Sequence, residues 1–362
     1  MLLTAISGLI YLLFQCWMAW GWWFRAKSTT SKTKHLPISV IVAAHNEHKN
    51  LKALLPHLLN QQYSSYELII VLDRCSDNSK DLLKNWQKKY PHLKMLEIEQ
   101  TPKGWASKKW AITQGIALAR YPHLAFTDAD CHVKPHWLQH INNTFSKDTS
   151  VILGIGLYQR QAGLLNLLIR FETFYTAFQY IGMAAQGFPY MGVGRNLAYT
   201  KDFFYSHEGL TAFKGRLSGD DDLLVNAYAK AKKTKVMIAA GSHTFSEPEQ
   251  SWRRWFRQKF RHLSASPAYS IHSKALLGIF HLAHLCFYAG LLVSLGFGLT
   301  NSLFFSLYMS RVIISWLLFV SVNQTIREKK LLYAYPVLDL LYFIYNLIVV
   351  PIGLTKKPEW KK

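Results

Sequence analysis

From Leu2 to Phe24 the chain carries no charged side chain. Crossing the hydrocarbon core of a bilayer takes about 20 such residues, so this run is long enough to span one. Three more apolar stretches, roughly 275–299, 303–325 and 331–354, follow near the C-terminus. A cleaved secretory signal fits poorly, because no basic segment precedes the first run and the run is too long. The cations follow it instead, at Arg25, Lys27, Lys32 and Lys34. By the positive-inside rule this predicts an anchor with its N-terminus outside and the next segment in the cytoplasm. The expected layout is a transmembrane anchor at 1–25, a basic linker at 26–35 and a cytoplasmic domain at 36–250. An amphipathic interface helix at 251–270 and membrane segments with a basic tail at 271–362 complete it.

Composition agrees with a membrane-bound globular chain. Half of the 362 residues are apolar and 14% are aromatic, which excludes a disordered protein. Cys16, Cys75, Cys131 and Cys286 form no CxxC pair and have no zinc-like spacing, so they read as isolated thiols. The net charge of +21 suggests an anionic partner. Much of that charge borders apolar segments, at 25–34, 253–261, 327–330 and 356–362, where anionic headgroups account for it. The charge therefore points to a bilayer surface rather than to nucleic acid.

The central part has the rhythm of an α/β sheet. Pro37–Ala44 is short, β-branched and uncharged, as a buried strand is, and leucines at 51, 54, 55, 58 and 59 mark a helix after it. Glu67–Asp73 reads as a second strand, and a basic helix at 79–90 leads to a third at 94–98. A helix at 107–119 precedes the strand Leu124–Thr127. Such alternation predicts a mostly parallel, doubly wound sheet whose ligands collect at the carboxyl ends of the strands. Those ends carry His45-Asn46-Glu47, Asp73 and Asp128-Ala129-Asp130. Leu164–Met183 is apolar and helical in period but contains Arg170 and Glu172, so it is expected on the membrane or inside the domain rather than across the bilayer.

Three local patterns carry chemistry. Asp128 and Asp130, two residues apart at a strand end, can both reach one Mg²⁺ or Mn²⁺ ion, although a lone pair of this kind is more often a solvated turn. Asp220-Asp221-Asp222 sets three carboxylates in a row, where like charges raise one another's pKa as suits a general base. The same residues also suit a helix N-cap, and both roles can hold together. In Trp252–His262 the aromatics Trp252, Trp255, Phe256 and Phe260 share helical spacing with Leu263, leaving Arg253, Arg254, Arg257 and Arg261 on other faces. This pattern predicts an interface helix, with binding of a diphosphate by its cations as a further option. Gly192-Val193-Gly194-Arg195-Asn196 is a glycine loop without a Rossmann context, and Lys108-Lys109 at a helix start reads as a solvated face.

The order Ile38–Glu47, Val71-Leu72-Asp73, Asp128-Ala129-Asp130, Gly219-Asp220 and Gln258–His262 resembles the family 2 glycosyltransferases with a GT-A fold, from about residue 36 to 265. The membrane layout is similar to that of ceramide glucosyltransferases and polysaccharide synthases. The resemblance implies that Ala44 and Glu47 line a nucleotide pocket, Asp73 meets uracil and Lys108 lies near the nucleotide. It implies that Asp128 faces the ribose and diphosphate, Asp130 ligates Mg²⁺ or Mn²⁺, and Asp220 is the catalytic base. Gln258 and Arg261 match the Q-x-x-R signature near diphosphate and acceptor. There are three departures. Arg74 stands where many members have a second Asp, and Gly219 replaces a Glu, which leaves Asp220 and Asp221 as alternative bases. His262 replaces the signature Trp, which argues against a processive polymerase.

The expected protein is a membrane-bound inverting, metal-dependent transferase. Its donor is a nucleotide-diphosphate sugar, most simply UDP-linked, and its acceptor a membrane lipid or lipid-linked glycan. A processive polysaccharide synthase is the alternative enzyme, and an inactive scaffold that binds anionic lipid is the alternative outside catalysis. Three full C-terminal crossings would leave Lys356, Lys357, Lys361 and Lys362 outside, against the positive-inside rule. A re-entrant last segment, with Pro336, Asp339 and Pro351 in it, would return them to the cytoplasm.

Overall fold

The computed structural model describes residues 1–26, 35–299 and 301–355. The expected linker cations Lys27, Lys32 and Lys34 and the tail cations Lys356, Lys357, Lys361 and Lys362 lie outside the described residues. The chain begins with helix α1 (Leu2–Trp20), prolonged by a π-helical turn to Arg25. Strand β1 (Ile38–Ala44), α2 (His48–Leu59), β2 (Tyr66–Asp73), α3 (Ser79–Gln87), β3 (Leu93–Ile98), α4 (Ser107–Leu118) and β4 (His123–Phe126) then alternate. Next come β5 (Cys131–His132), α5 (Trp137–Thr144), β6 (Val151–Gly154), β7 (Gly156–Tyr158) and α6 (Leu164–Ala185). After them lie β8 (Leu197–Thr200), α7 (Lys201–Tyr205), α8 (Asp222–Tyr228), β9 (Thr234–Met237) and β10 (Thr244–Ser246). Helices α9 (Trp252–Leu263), α10 (Ile271–Gly296), α11 (Ser302–Ile326) and α12 (Lys329–Thr355) complete the order.

Two compact units result. One comprises Ala26–Gln159 and Gly187–Pro248. Its seven-stranded sheet has the order β3-β2-β1-β4-β8-β6-β9, in which only β8 runs antiparallel to its neighbours. The mostly parallel sheet expected from the alternation is therefore present. β2 is buried along its whole length, as a parallel strand covered on both faces must be. The leucines of α2 at 51, 54, 55, 58 and 59 are all buried, forming one core with Val40, Val42, Leu68, Ile70 and Trp137. Strand order reverses beside β1, with β2 on one side and β4 on the other, which opens a crevice at their carboxyl ends. Gly115 brings α4 close to this sheet: a Cβ there would stand 2.8 Å from Ile41 Cγ2 and 3.0 Å from Val71 Cγ2. The close approach sets the first turn of α4 beside the strand ends.

The other unit comprises Met1–Arg25, Arg160–Gln186 and Glu249–Lys362. Among the described residues four helices are long and apolar enough to cross a membrane: Leu2–Arg25, Ile271–Gly296, Ser302–Ile326 and Lys329–Thr355. Helix α6 belongs to this unit and is buried along most of its length. Its two charges are both neutralised, Arg170 by Glu328 and Glu172 by Lys259. Deeper in the bundle Arg311 of α11 pairs with Asp339 of α12, which also accepts a hydrogen bond from Tyr288 at 2.6 Å. On α9, Trp252 and the cations Arg253, Arg254 and Arg257 are exposed, but Trp255 is 2% exposed and packs on Tyr345 of α12. One aromatic of the expected lipid-facing stripe is therefore a packing residue.

Candidate active site

The strand ends of the α/β unit hold a cleft of ≈ 350 Å³. Ala43, Phe126, Asp128, Tyr199, Asp220 and Asp221 line it together with Lys108 from the first turn of α4. The Lys108 ammonium lies 3.0 Å from Asp128 Oδ1 and 3.0 Å from Asp220 Oδ2, so one cation joins the two acidic clusters. The clusters are 92 positions apart in sequence (220 − 128) and meet because β4 ends where the 213–221 segment passes the head of α4.

Asp220 and Asp221 are neighbours with different surroundings. Burial acts to raise the Asp220 carboxyl, but the charge of Lys108 and its hydrogen bond prevail and hold it below its ordinary value. Asp221 accepts from the Gly194 N–H at 2.5 Å and from the Asp222 N–H at 2.8 Å, capping α8. Its burial and the adjacent Asp220 charge push its carboxyl up to about 6. Lys108 titrates above its ordinary range because Asp128, Asp220 and Asp221 outweigh its burial. The N-cap expected among these acids is thus Asp221, which lines the cleft together with Asp220.

Asp130 is exposed and does not line the cleft. Even so, loss of hydration in the crowded turn and the negative charge of Asp128 push its carboxyl up to about 6. A divalent cation beside Asp130 would favour its charged form. Among the described residues no three His, Cys, Asp or Glu side chains gather as a complete metal cage. Two carboxylate donors would suit a hard divalent ion that takes its other oxygen ligands elsewhere, as Mg²⁺ and Mn²⁺ do.

The remaining expected residues are spread more widely. Ala44 is buried at the end of β1, while Ala43 faces the cleft. Glu47 is half-buried at the start of α2 and accepts from Asn50. Asp73 ends β2 and is forked by Arg74, with Nε at 2.9 Å and Nη2 at 3.3 Å; Nη2 also donates to Ser107 at 2.6 Å. Arg74 holds a left-handed φ of 48° and turns its side chain back onto Asp73. Gln258 and Arg261 stand on α9 in the other unit.

Two residues carry more than their patterns suggested. Arg195, in the glycine loop, donates to the carbonyls of Leu157 and Gly156 at 3.3 and 3.2 Å and lies 4.4 Å over the Tyr158 ring, close enough for its charge to bear on Asp130. Lys109 is 1% exposed, so the lysine pair is not a solvated face. The partners of both residues are remote in sequence, so no local signal marks them.

A profile described as Glycosyl transferase family 21 matches residues 1–348. The chain belongs to glycosyl transferase family 21. Within that membership the resemblance seen in the sequence holds as that of a GT-A glycosyltransferase family. The probable glycosyltransferase YdaM of Bacillus subtilis is 25% identical over 236 residues, 63% of this chain and 55% of that protein. The chain thus spans about half the length of that relative, and less of the others. A beta-monoglucosyldiacylglycerol synthase of Trichormus variabilis is 29% identical over 138 residues, 38% of this chain and 28% of the synthase. Among solved structures, the mannosyltransferase PcManGT of Pyrobaculum calidifontis, in complex with GDP-Man and Mn2+, superposes with a TM-score of 0.61 at 14% identity. That match covers 95% of this chain and 97% of the other, and it shows a shared GT-A fold.

Proposed function

We propose that this family 21 protein transfers a sugar from a nucleotide-diphosphate sugar, UDP-linked, to a hydroxyl of a membrane lipid or lipid-linked acceptor, with inversion at the anomeric carbon. The observation that carries this reading is the single lysine held between Asp128 and Asp220 in a cleft at the strand ends. Such a cleft matches a donor whose diphosphate needs a cation and whose acceptor needs a base. The four apolar helices, and a relative named for glucosyldiacylglycerol synthesis, support a lipid acceptor. They also support membrane attachment, with the α/β unit in the cytoplasm as the cations after α1 suggest.

In this mechanism the acceptor hydroxyl attacks the anomeric carbon from the face opposite the leaving diphosphate. The new C–O bond forms as the bond from that carbon to the phosphate oxygen breaks, and the hydroxyl proton passes to Asp220. Lys108 offsets the charge gathering on the diphosphate. Asp220, beside Lys108, is the assigned base, and Asp221, whose carboxyl is raised to about 6, is the alternative. Asp130 and Asp128 would hold Mg²⁺ or Mn²⁺, which supplies further charge neutralisation to the diphosphate when bound. Ala44, Glu47 and Asp73 are assigned to the nucleoside side, and Gln258 and Arg261 to the diphosphate and acceptor.

The test is a matrix of sugar nucleotides against membrane lipid extracts with the full-length protein in detergent. Labelled sugar should enter the lipid phase with one donor, and Asp220→Asn protein should not transfer it. Transfer to no lipid fraction, with the label instead building up in a long water-soluble polymer, would refute the lipid acceptor.

A further inference from the structure

The first turn of α4 carries two adjacent lysines, and the structure gives them different tasks. Lys108 enters the cleft between Asp128 and Asp220. The ammonium of Lys109 is buried and donates to the carbonyls of Phe213 and Ser218, at 2.9 Å each. It also lies 5.9 Å from the centre of the Phe213 ring. Just before the helix, the Ala106 N–H donates to the Lys214 carbonyl at 2.6 Å. The segment 213–218 is thereby fastened to the head of α4 along its length.

This segment leads straight to Asp220. The stretch 210–218 that contains it is bounded by left-handed backbone: Glu208 and Gly209 at φ 57° and 60°, and Gly219 at φ 92°. Between these turns the regular structure is one short 3₁₀ turn, Thr211–Phe213, whose backbone bonds are local. Lys109 reaches across 104 and 109 positions to hold it. Burying an ammonium is costly unless its hydrogen bonds are met, and here main-chain carbonyls meet them. The acids in turn favour the charge: burial pushes the Lys109 pKa down, and Asp220, Asp222 and Asp221 oppose that push.

We propose that Lys109 is the positioning residue of the acidic segment: its ammonium clamps 213–218 to α4 and so sets where the Asp220 carboxylate stands beside Lys108 and Asp128. The kinetic consequence rests on the transferase reading given above; the structural consequence does not.

Two measurements on the full-length protein in detergent test it, with Lys109→Met and Lys109→Arg. Hydrogen exchange in 211–221 should quicken about tenfold or more in Lys109→Met, while β1 and β2 keep their protection, as a local opening requires. In the transfer assay kcat should fall between about tenfold and a hundredfold, the scale of a misplacement near 1 Å, with the donor KM within about twofold. Lys109→Arg should recover most of the loss. Unchanged exchange in a folded Lys109→Met protein overturns the proposal. So does loss of protection throughout the sheet, or an equal rise in donor KM without a fall in kcat. If Lys109→Met does not fold, Lys109→Gln takes its place under the same criteria. Should the wild type transfer no sugar at all, the transferase reading fails and the exchange measurement still decides the clamp.

Discussion

The two units handle buried charge in opposite ways. In the membrane unit each buried acid meets its own cations: Asp339 meets Arg311, Glu328 meets Arg170 and Arg160, and Glu172 meets Lys259. In the α/β unit Lys108 serves Asp128 and Asp220 together, and Asp221 and Asp130 stand close by. A buried charge must be neutralised or it destabilises the fold, so a matched pair is complete as it stands. A site with more carboxylates than cations is not complete. The surplus negative charge has structural cost, and a metal ion and a catalytic proton transfer are the uses the chemistry offers for it.

The largest expected effect lies in the surplus. Asp220→Asn removes the proposed base and should lower kcat by about a thousandfold, within the range general bases contribute. Donor affinity should change by less than about threefold, because the amide keeps the shape of the site. Asp221→Asn should cost less in rate and more in stability, since its carboxylate caps α8. Equal loss of kcat in both variants, with folding intact, would remove the distinction drawn between the two acids.

A matched pair should respond in stability. Asp339→Leu leaves Arg311 buried and unpaired, and should destabilise the bundle in detergent by about 3–5 kcal/mol. The double variant Asp339→Leu with Arg311→Met should regain most of this, because neither charge then needs a partner. A double variant no more stable than the single one would mean that the pair does more than satisfy itself.

How much of this was legible in the sequence follows from the distance over which each constraint acts. β1 and β2 could be read because a parallel strand covered on both faces keeps an apolar run at its centre whatever surrounds it. The four long apolar helices were legible for the same local reason. The place of α6 was not, since the same composition suits a membrane surface and a buried interior. What decides it are Glu328 and Lys259, 158 and 87 positions away from Arg170 and Glu172. Lys109 and Lys108 look alike in sequence, and only tertiary contacts give one to the main chain and the other to the acids. The acids Asp128 and Asp220 could be found singly, while their meeting through one ammonium could not.

The proton dependence of the surplus should be gentler than any of these substitutions, and its sign is fixed. The carboxyl of Asp130 is raised to about 6, so it is increasingly protonated as the pH falls below that value. A proton and a divalent cation compete for the same oxygens, so affinity for Mn²⁺ should be level above pH about 6 and fall about tenfold per unit below it. Calorimetric titration of Mn²⁺ into the full-length protein between pH 5 and 8 measures this directly. In Asp130→Asn protein the affinity should be lower throughout and its slope below pH 6 should flatten. An unaltered slope in that variant would mean that another group, with Asp221 the first to examine because it too is raised to about 6, carries the dependence. The matched pairs belong to the other unit, so disrupting one of them should leave the slope where it was. The contrast between complete and incomplete charge sets therefore rests on a binding measurement as well as on rate and stability.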